Sequence, residues 1–421
     1  MSDPLAADVA AARISPWRAP PEFLFSLGLA LFAFLAFYFS TSGKHEDFDY
    51  TARIAQSFLQ GHMGMTTTPP SWLPEMVPLE GRYYSVFPLG AVLSVMPVTI
   101  LQKLHVMSVF PWRGLAALLA AGCVYFFFCL SATNDVSVAR RAMLALFPIF
   151  ATWSWCNLGF AGSWQVALGF ALLGQAAALY YTLVKPRPLG AGAWFALAVG
   201  NRTELVLAVP IFVYFWASRE AQSGGRGFST LAIDFRKRWP IVARFLAIPV
   251  ALGLCTAAYN FARFGSPFDF GYARIPGILA EPWYQHGVFS LHAIPWNVYK
   301  MLLEGVKDIP HFPYFIPYPF GCSIFLSSPF LFLLFREGGK YAAGCWITMA
   351  MLVFVLLCHG NPGGWQYSYR YGMILLPWMF LLILSNGPRK ISARETTLFC
   401  LSVAINAVAT YQFLWTDQIK P

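Results

Sequence analysis

The chain has 421 residues, of which 57% are hydrophobic, 17% aromatic and only 11% charged. A soluble globular protein carries about 25% charged residues, so a soluble enzyme, a disordered chain and a secreted disulfide scaffold are all excluded. The net charge of +10 does not point to nucleic acid, because the basic residues fall in short loops between apolar runs and form no basic domain.

What remains is an integral membrane protein. Its apolar runs are long and continuous, which predicts spanning helices rather than barrel strands. The first 22 residues read as a cytoplasmic tail leading into a retained first helix, Phe23–Ser40, since no small-residue cleavage site follows. A polar stretch runs from Thr41 to Tyr84, followed by Val86–Leu101, Leu115–Ser131, Ala142–Phe160 and Val166–Val184. Leu189–Ala217 comes next, broken by Asn201, Arg202 and Glu204, then Ile241–Phe261. A second long polar stretch extends from Arg263 to Pro319. The last runs are Phe320–Phe335, Tyr341–Leu357, Met373–Leu384 and Thr397–Trp415, ahead of a short tail, 417–421.

The predicted fold class is therefore all-α: a polytopic transmembrane helical bundle of about 9–12 membrane segments, some short or re-entrant. Arg140/Arg141, Lys185/Arg187, Arg219–Arg238, Arg336/Lys340 and Arg389/Lys390/Arg394 mark the cytoplasmic side. The two long stretches, 41–84 and 263–319, and the turn His359–Arg370 then fall on the outer face. Two full crossings after the first helix would put Arg140/Arg141 on the wrong side. Val86–Leu101, with Pro88 and Pro97, is thus expected to be short, incomplete or broken. Leu189–Ala217 is expected to be a hairpin of half-helices entering from the cytoplasm.

All the Cys except Cys322 lie within or at the ends of apolar runs, and none forms a CxxC pair. They read as small hydrophobes, neither disulfides nor metal ligands. His286, His292 and His311 show no ligand spacing. GxSxG, the P-loop and the dinucleotide fingerprint are absent.

Three passages could carry chemistry. Of the 19 acids, Glu46, Asp47, Asp49, Glu75 and Glu80 fall in the first polar stretch. Carboxylates are costly to dehydrate at a membrane boundary, so such a cluster suits a polar cavity and a general base. It suits equally a solvated loop that neutralises Lys44, Arg53 and Arg82. Within the stretch, Tyr50–Gln60 puts Ile54, Ala55, Phe58 and Leu59 on one side, as a surface helix would. Arg202 and Glu204 are either functional charges within a membrane segment or a structural pair. Tyr367-Ser368-Tyr369-Arg370-Tyr371 offers a guanidinium among phenols, suited to a phosphate or to an interfacial belt.

HEDFDYTARIAQSFLQG, EGRYYSVFPLGAVLSVMP, RFGSPFDFGY and QYSYRYGMILLP, in that order, resemble the GT-C superfamily of integral membrane glycosyltransferases. Its bacterial members are similar to protein O-mannosyltransferases and aminoarabinose transferases, and the likeness spans Phe23 to Pro377. It implies an inner-membrane enzyme that moves a sugar from a polyprenyl-phosphate donor to a lipid, polysaccharide or protein acceptor at the outer face. On this resemblance the base falls on Asp47, with Asp49 as its substitute, although many members have an Asp-Glu pair where this chain has Asp47-Phe48-Asp49. Arg370, with Tyr369, would hold the carrier phosphate, and Tyr84 and Arg202 are carried over beside them. No cofactor is implied, no metal ligands stand out and a divalent ion is left open. The alternative reading is a polytopic transporter or lipid flippase.

Overall fold

The computed structural model describes residues 21–41, 48–218, 235–310 and 314–419, and these are mostly helical. Five helices are long and apolar enough to cross a membrane: Glu22–Ser40, Trp112–Thr133, Ser163–Leu183, Lys237–Phe264 and Ala393–Trp415. Shorter apolar helices fill the spaces between them.

The chain runs back and forth between two faces. Helix α1 (Pro21–Ser40) ends where α4 (Trp112–Leu130) begins, and Arg113 Nε donates to the Tyr38 carbonyl at 2.8 Å. At the far end, Arg141 bonds both Glu22, at the start of α1, and Ser131, just past α4. The two helices are therefore antiparallel neighbours. Everything between them returns to the face it left, namely α2 (Tyr50–Leu59), β1 (Met76–Leu79), β2 (Arg82–Ser85) and α3 (Leu89–Lys103). Helix α3 covers the run whose crossing was in question. It lies against α2, and Lys103 Nζ reaches the Leu59 carbonyl at 2.9 Å.

After α4, α5 (Val138–Phe150) and α6 (Ser154–Gly159) run in series towards the loop-bearing face, and α7 (Ser163–Leu183) returns. Helix α8 (Pro188–Asn201), the turn Thr203–Ala208 and α9 (Val209–Ala217) form a hairpin. Its apex reaches the loop face, where Asn201 Nδ2 donates to Ser94 of α3 at 2.7 Å. Helix α10 (Phe235–Phe264) packs along α8 so closely that a Cβ on Gly192 would lie 2.1 Å from the Phe245 carbonyl oxygen. The second long stretch holds α11 (Ile294–Val298), a π-turn Tyr299–Leu303 and a small hairpin of β3 (Val306–Asp308) with β4 (Phe315–Pro317). Helix α12 (Ile324–Ser327) and the turn Pro329–Phe335 lead down, and α13 (Ala342–Cys358) leads up. The turn Arg370–Leu375 with α14 (Leu376–Asn386) leads down, and α15 (Ala393–Trp415) closes the bundle.

The basic connectors gather at the face opposite the loops. Glu395, fully buried in α15, accepts from Arg140 at 3.0 Å and from Arg336 at 2.7 Å, and it completes a capping box with Ser392. Arg140 also donates to the Ile383 and Leu384 carbonyls at the end of α14. One carboxylate thus fastens the ends of three segments.

The all-α expectation misses two small antiparallel hairpins in the loops. In the first, Leu79 pairs with Arg82, leaving a two-residue turn of Glu80 and Gly81 with φ of 49° and 74°. Two left-handed residues in succession match the right-handed strand twist, which is why this turn makes a hairpin and not a helix.

Candidate functional site

The first polar stretch is folded against the start of α7. Phe48 carbonyl accepts from the Ser163 amide at 2.8 Å, and Ser163 Oγ lies 3.0 Å from Thr51 Oγ1. This fixes Trp164, whose ring packs tilted against Phe87 at 4.2 Å and whose Nε1 donates to Glu75 Oε2 at 2.7 Å. Burial pushes the Glu75 carboxyl up to about 7, with Glu281 adding to the effect, while the Arg370 charge and the Trp164 N–H oppose it.

Arg370 is set in place by a strained turn. Ser368, fully buried, holds φ of 53°, costing on the order of 1 kcal/mol, and is clamped by Ser327 Oγ and the Cys322 carbonyl. Arg370 itself is 8% exposed. Its Nη2 donates to Tyr371 Oη at 3.3 Å, its Nε has no partner, and among the described residues no carboxylate pairs with it. A buried guanidinium left this way forgoes about 1–3 kcal/mol per missing bond unless an acceptor arrives.

The hairpin apex brings a second cation. Arg202 pairs with Glu204 at 2.6 Å, which the break at Asn201 permits, and lies 5.1 Å above the Tyr371 ring. Arg370 lies 5.1 Å from the same ring centroid. The second long stretch supplies Tyr272 and Tyr284, whose hydroxyls lie 2.9 Å apart and whose pKa values burial raises. His359 closes the ring with Nδ1 2.6 Å from the Asn361 carbonyl. That carbonyl can only accept, so Nδ1 carries the proton and Nε2 keeps a lone pair. Burial, then the positive charges of Arg202 and Arg370, lower the His359 pKa and keep the ring neutral.

Among these groups, Trp164, Arg202, Glu204, Tyr272, His359 and Tyr371 line a cavity of about 360 Å³, with apolar neighbours such as Phe87 and Phe270. It combines cationic and phenolic hydrogen-bond donors with a largely apolar wall, and Glu75 lies behind it on the Trp164 indole. Such a site suits an amphiphile with an anionic head.

The residues singled out in the sequence are distributed unevenly around it. Arg202 lines the cavity, and Arg370 reaches it through Tyr371. Tyr369 is fully buried with its hydroxyl on the Leu356 carbonyl at 3.0 Å, so Tyr371 is the phenol that faces the cavity. Tyr84 sits in β2, packed edge-on against Phe264 at 6.0 Å, outside the lining. Asp49 stands at the start of α2 with its carboxylate on Arg53 Nε at 2.7 Å. Asp47 lies outside the described residues.

Sequence reasoning assigned no role to His359 or Tyr272, and it named Glu75 and Tyr371 only as members of longer passages. Glu75 was visible as one acid among five, but what distinguishes it is its contact with Trp164, 89 positions away. Among the described residues, no group of three or more His, Cys, Asp or Glu could hold a metal ion, and all eight Cys are free thiols. Compared with known protein families, characterised proteins and solved structures, the chain matches none of them.

Proposed function

We propose that the protein is a glycosyltransferase that takes a sugar from a polyprenyl-phosphate donor and passes it to an acceptor hydroxyl at the outer face of the membrane. The observation that carries this reading is Arg370. It is a buried guanidinium with an unpartnered Nε, beside the cavity edge and within electrostatic reach of a carboxyl whose pKa is about 7.

The chemistry needs little more than such a pair. A carboxylate removes the acceptor's proton as its oxygen attacks the anomeric carbon, and the sugar–phosphate bond breaks with its electrons going to the phosphate. The leaving phosphate is already anionic and needs hydrogen-bond donors, not a proton. Arg370 supplies them, with Arg202 adding positive potential across the Tyr371 ring. The anomeric centre inverts in this single displacement. Asp47, carried by the resemblance, and Glu75, carried by its neighbours, are the two candidates for the base. The apolar wall receives the first isoprene units, and the donor arrives dissolved in the bilayer, so no nucleotide-binding domain is required.

The test is transfer of radiolabelled sugar from a polyprenyl-phosphate donor by the purified full-length protein. Arg370→Ala should raise the donor KM or lower kcat by about 10- to 100-fold, the worth of one or two charge-assisted hydrogen bonds. An unchanged dependence on donor concentration would remove the phosphate role. Movement of an unmodified solute or lipid across vesicles, with no transfer, would favour a transporter or flippase.

A further inference from the structure

The cavity presents hydrogen-bond acceptors as well as donors, and a phosphate cannot use them. His359, just past α13, is one. Its Nδ1 gives its proton to the Asn361 carbonyl at 2.6 Å. The rings of Tyr272, Tyr284, Phe289 and Tyr371 stand edge-on to the imidazole, with centroids 5.3–6.2 Å away. The ring is therefore held in one orientation and one tautomer. It lines the cavity, and among the described residues nothing donates to its Nε2 lone pair.

Glu204, in the turn at the hairpin apex, is the other. Arg202 Nε and Nη2 both donate to its Oε1, at 2.8 and 2.6 Å. Among the described residues Oε2 is left without a donor and Arg202 Nη1 without an acceptor. Both side chains line the cavity and keep some surface, 15% for Glu204 and 12% for Arg202. Tyr371 Oη accepts from Arg370 Nη2, so its own proton is left to give. Two unengaged acceptors and two unengaged donors thus share one cavity.

That mixture narrows what fits. A phosphate diester only accepts hydrogen bonds, and the lone pairs of His359 and Glu204 repel it, so the phosphate belongs at Arg370. A hydroxyl both gives and takes. Charge narrows the class further. A phosphate at Arg370 neutralises that cation, and Glu204 neutralises Arg202, so no charge is left over. An ammonium or a carboxylate on the sugar would stay unpaired among mostly apolar walls, which is costly. The volume of about 360 Å³ lies at the small end of ligand pockets, about 300–1,000 Å³, and suits one sugar rather than a glycan chain.

We propose that the hairpin-apex end of the cavity is a subsite for a single uncharged sugar, whose hydroxyls donate to His359 Nε2 and Glu204 Oε2 and accept from Arg202 and Tyr371. The inference rests on the reading of Arg370 as the phosphate site, and it adds which sugars the donor can carry.

Isothermal titration calorimetry of the purified full-length protein tests it. The probes are a polyprenyl phosphate, bare or carrying glucose, mannose, galactose, glucosamine or glucuronate. At least one of the three uncharged sugars should tighten binding about tenfold over the bare lipid, and the two charged sugars should add nothing. His359→Asn keeps a donor for the Asn361 carbonyl but loses the acceptor that faces the cavity. It should weaken the tightest glycosylated lipid about three- to tenfold, the worth of one hydrogen bond, and leave the bare lipid unchanged. Glu204→Gln removes the charge that excludes a uronate and frees Arg202, so glucuronate should gain about threefold or more, even if His359→Asn does not fold. Glycosylated lipids that bind no tighter than the bare one, or a charged sugar that binds tightest, would overturn the proposal. So would equal losses for bare and glycosylated lipid in folded His359→Asn, or continued exclusion of glucuronate by Glu204→Gln. The phosphate reading is judged apart, on the bare lipid alone: affinity unchanged in Arg370→Ala would refute it.

Discussion

Replacing Trp164 by Phe would separate the ring's packing on Phe87 from the hydrogen bond its indole makes to Glu75. The N–H stabilises the ionised carboxylate, so its loss raises the pKa further. A hydrogen bond to a charged group is worth about 1.5–3 kcal/mol. Glu75 keeps part of its surface exposed, and water recovers some of that. The remainder, near 1.4 kcal/mol, corresponds to about one pH unit, which moves the titration from about 7 to about 8. Infrared difference spectra of the protonated carboxyl, with Glu75→Gln as the blank, report this directly. Stability follows the same sign. The folded chain holds a proton that the unfolded chain gives up, so the contribution is present below the unfolded value of 4.5 and is lost as pH rises through about 7. Its size is about 1–2 kcal/mol after allowance for exposure, and Glu75→Gln should flatten that part of the unfolding profile. A Glu75 titration that stays put in Trp164→Phe would refute the assigned electrostatics.

Asp47→Asn and Glu75→Gln, assayed for sugar transfer at saturating donor, should differ sharply. The variant that lacks the base loses at least about 100-fold in kcat, and full activity in both would remove a first-stretch carboxylate from the mechanism. Glu395→Gln leaves Arg140 buried against carbonyls with no counter-charge, so thermal unfolding in detergent should show a loss of about 3–5 kcal/mol; a change below 1 kcal/mol would mean that water reaches this knot. Gly192→Ala drives a methyl into the Phe245 carbonyl, and a loss of about 1–3 kcal/mol should appear in the same assay, with the Gly28→Ala control, which meets nothing within 4 Å, near zero.

Hydrophobic run length made the long apolar helices legible, and the run Val86–Leu101, expected to be short, incomplete or broken, forms the single short helix Leu89–Lys103 between the antiparallel α1 and α4. The pairing of Arg202 with Glu204 was open in the sequence, because residues two apart on a continuous helix cannot meet. The break at Asn201 decides it. Choosing Tyr371 over Tyr369 was beyond sequence reach. Both flank Arg370, and only the position of the Leu356 carbonyl determines which hydroxyl is consumed inside. Glu75 was hidden for a related reason. An acid's neighbours set its pKa, and here they come from α7, the turn after α13 and the second long stretch.

Helix α15 bears on how the molecule is made. Ser402 accepts from the Phe330 amide, Asn406 donates to the Ser327 carbonyl, and Glu395 neutralises two arginines from distant segments. Trp415 then reaches back to the Ser40 carbonyl, 375 positions earlier. Until α15 is in place, each of those groups is without its mate, so a chain that lacks it presents polar atoms to lipid and offers quality-control proteases a clear mark. Assembly of the bundle therefore depends on this helix, and a chain cut before Ala393 should be cleared from the cell rather than tolerated as a shortened bundle.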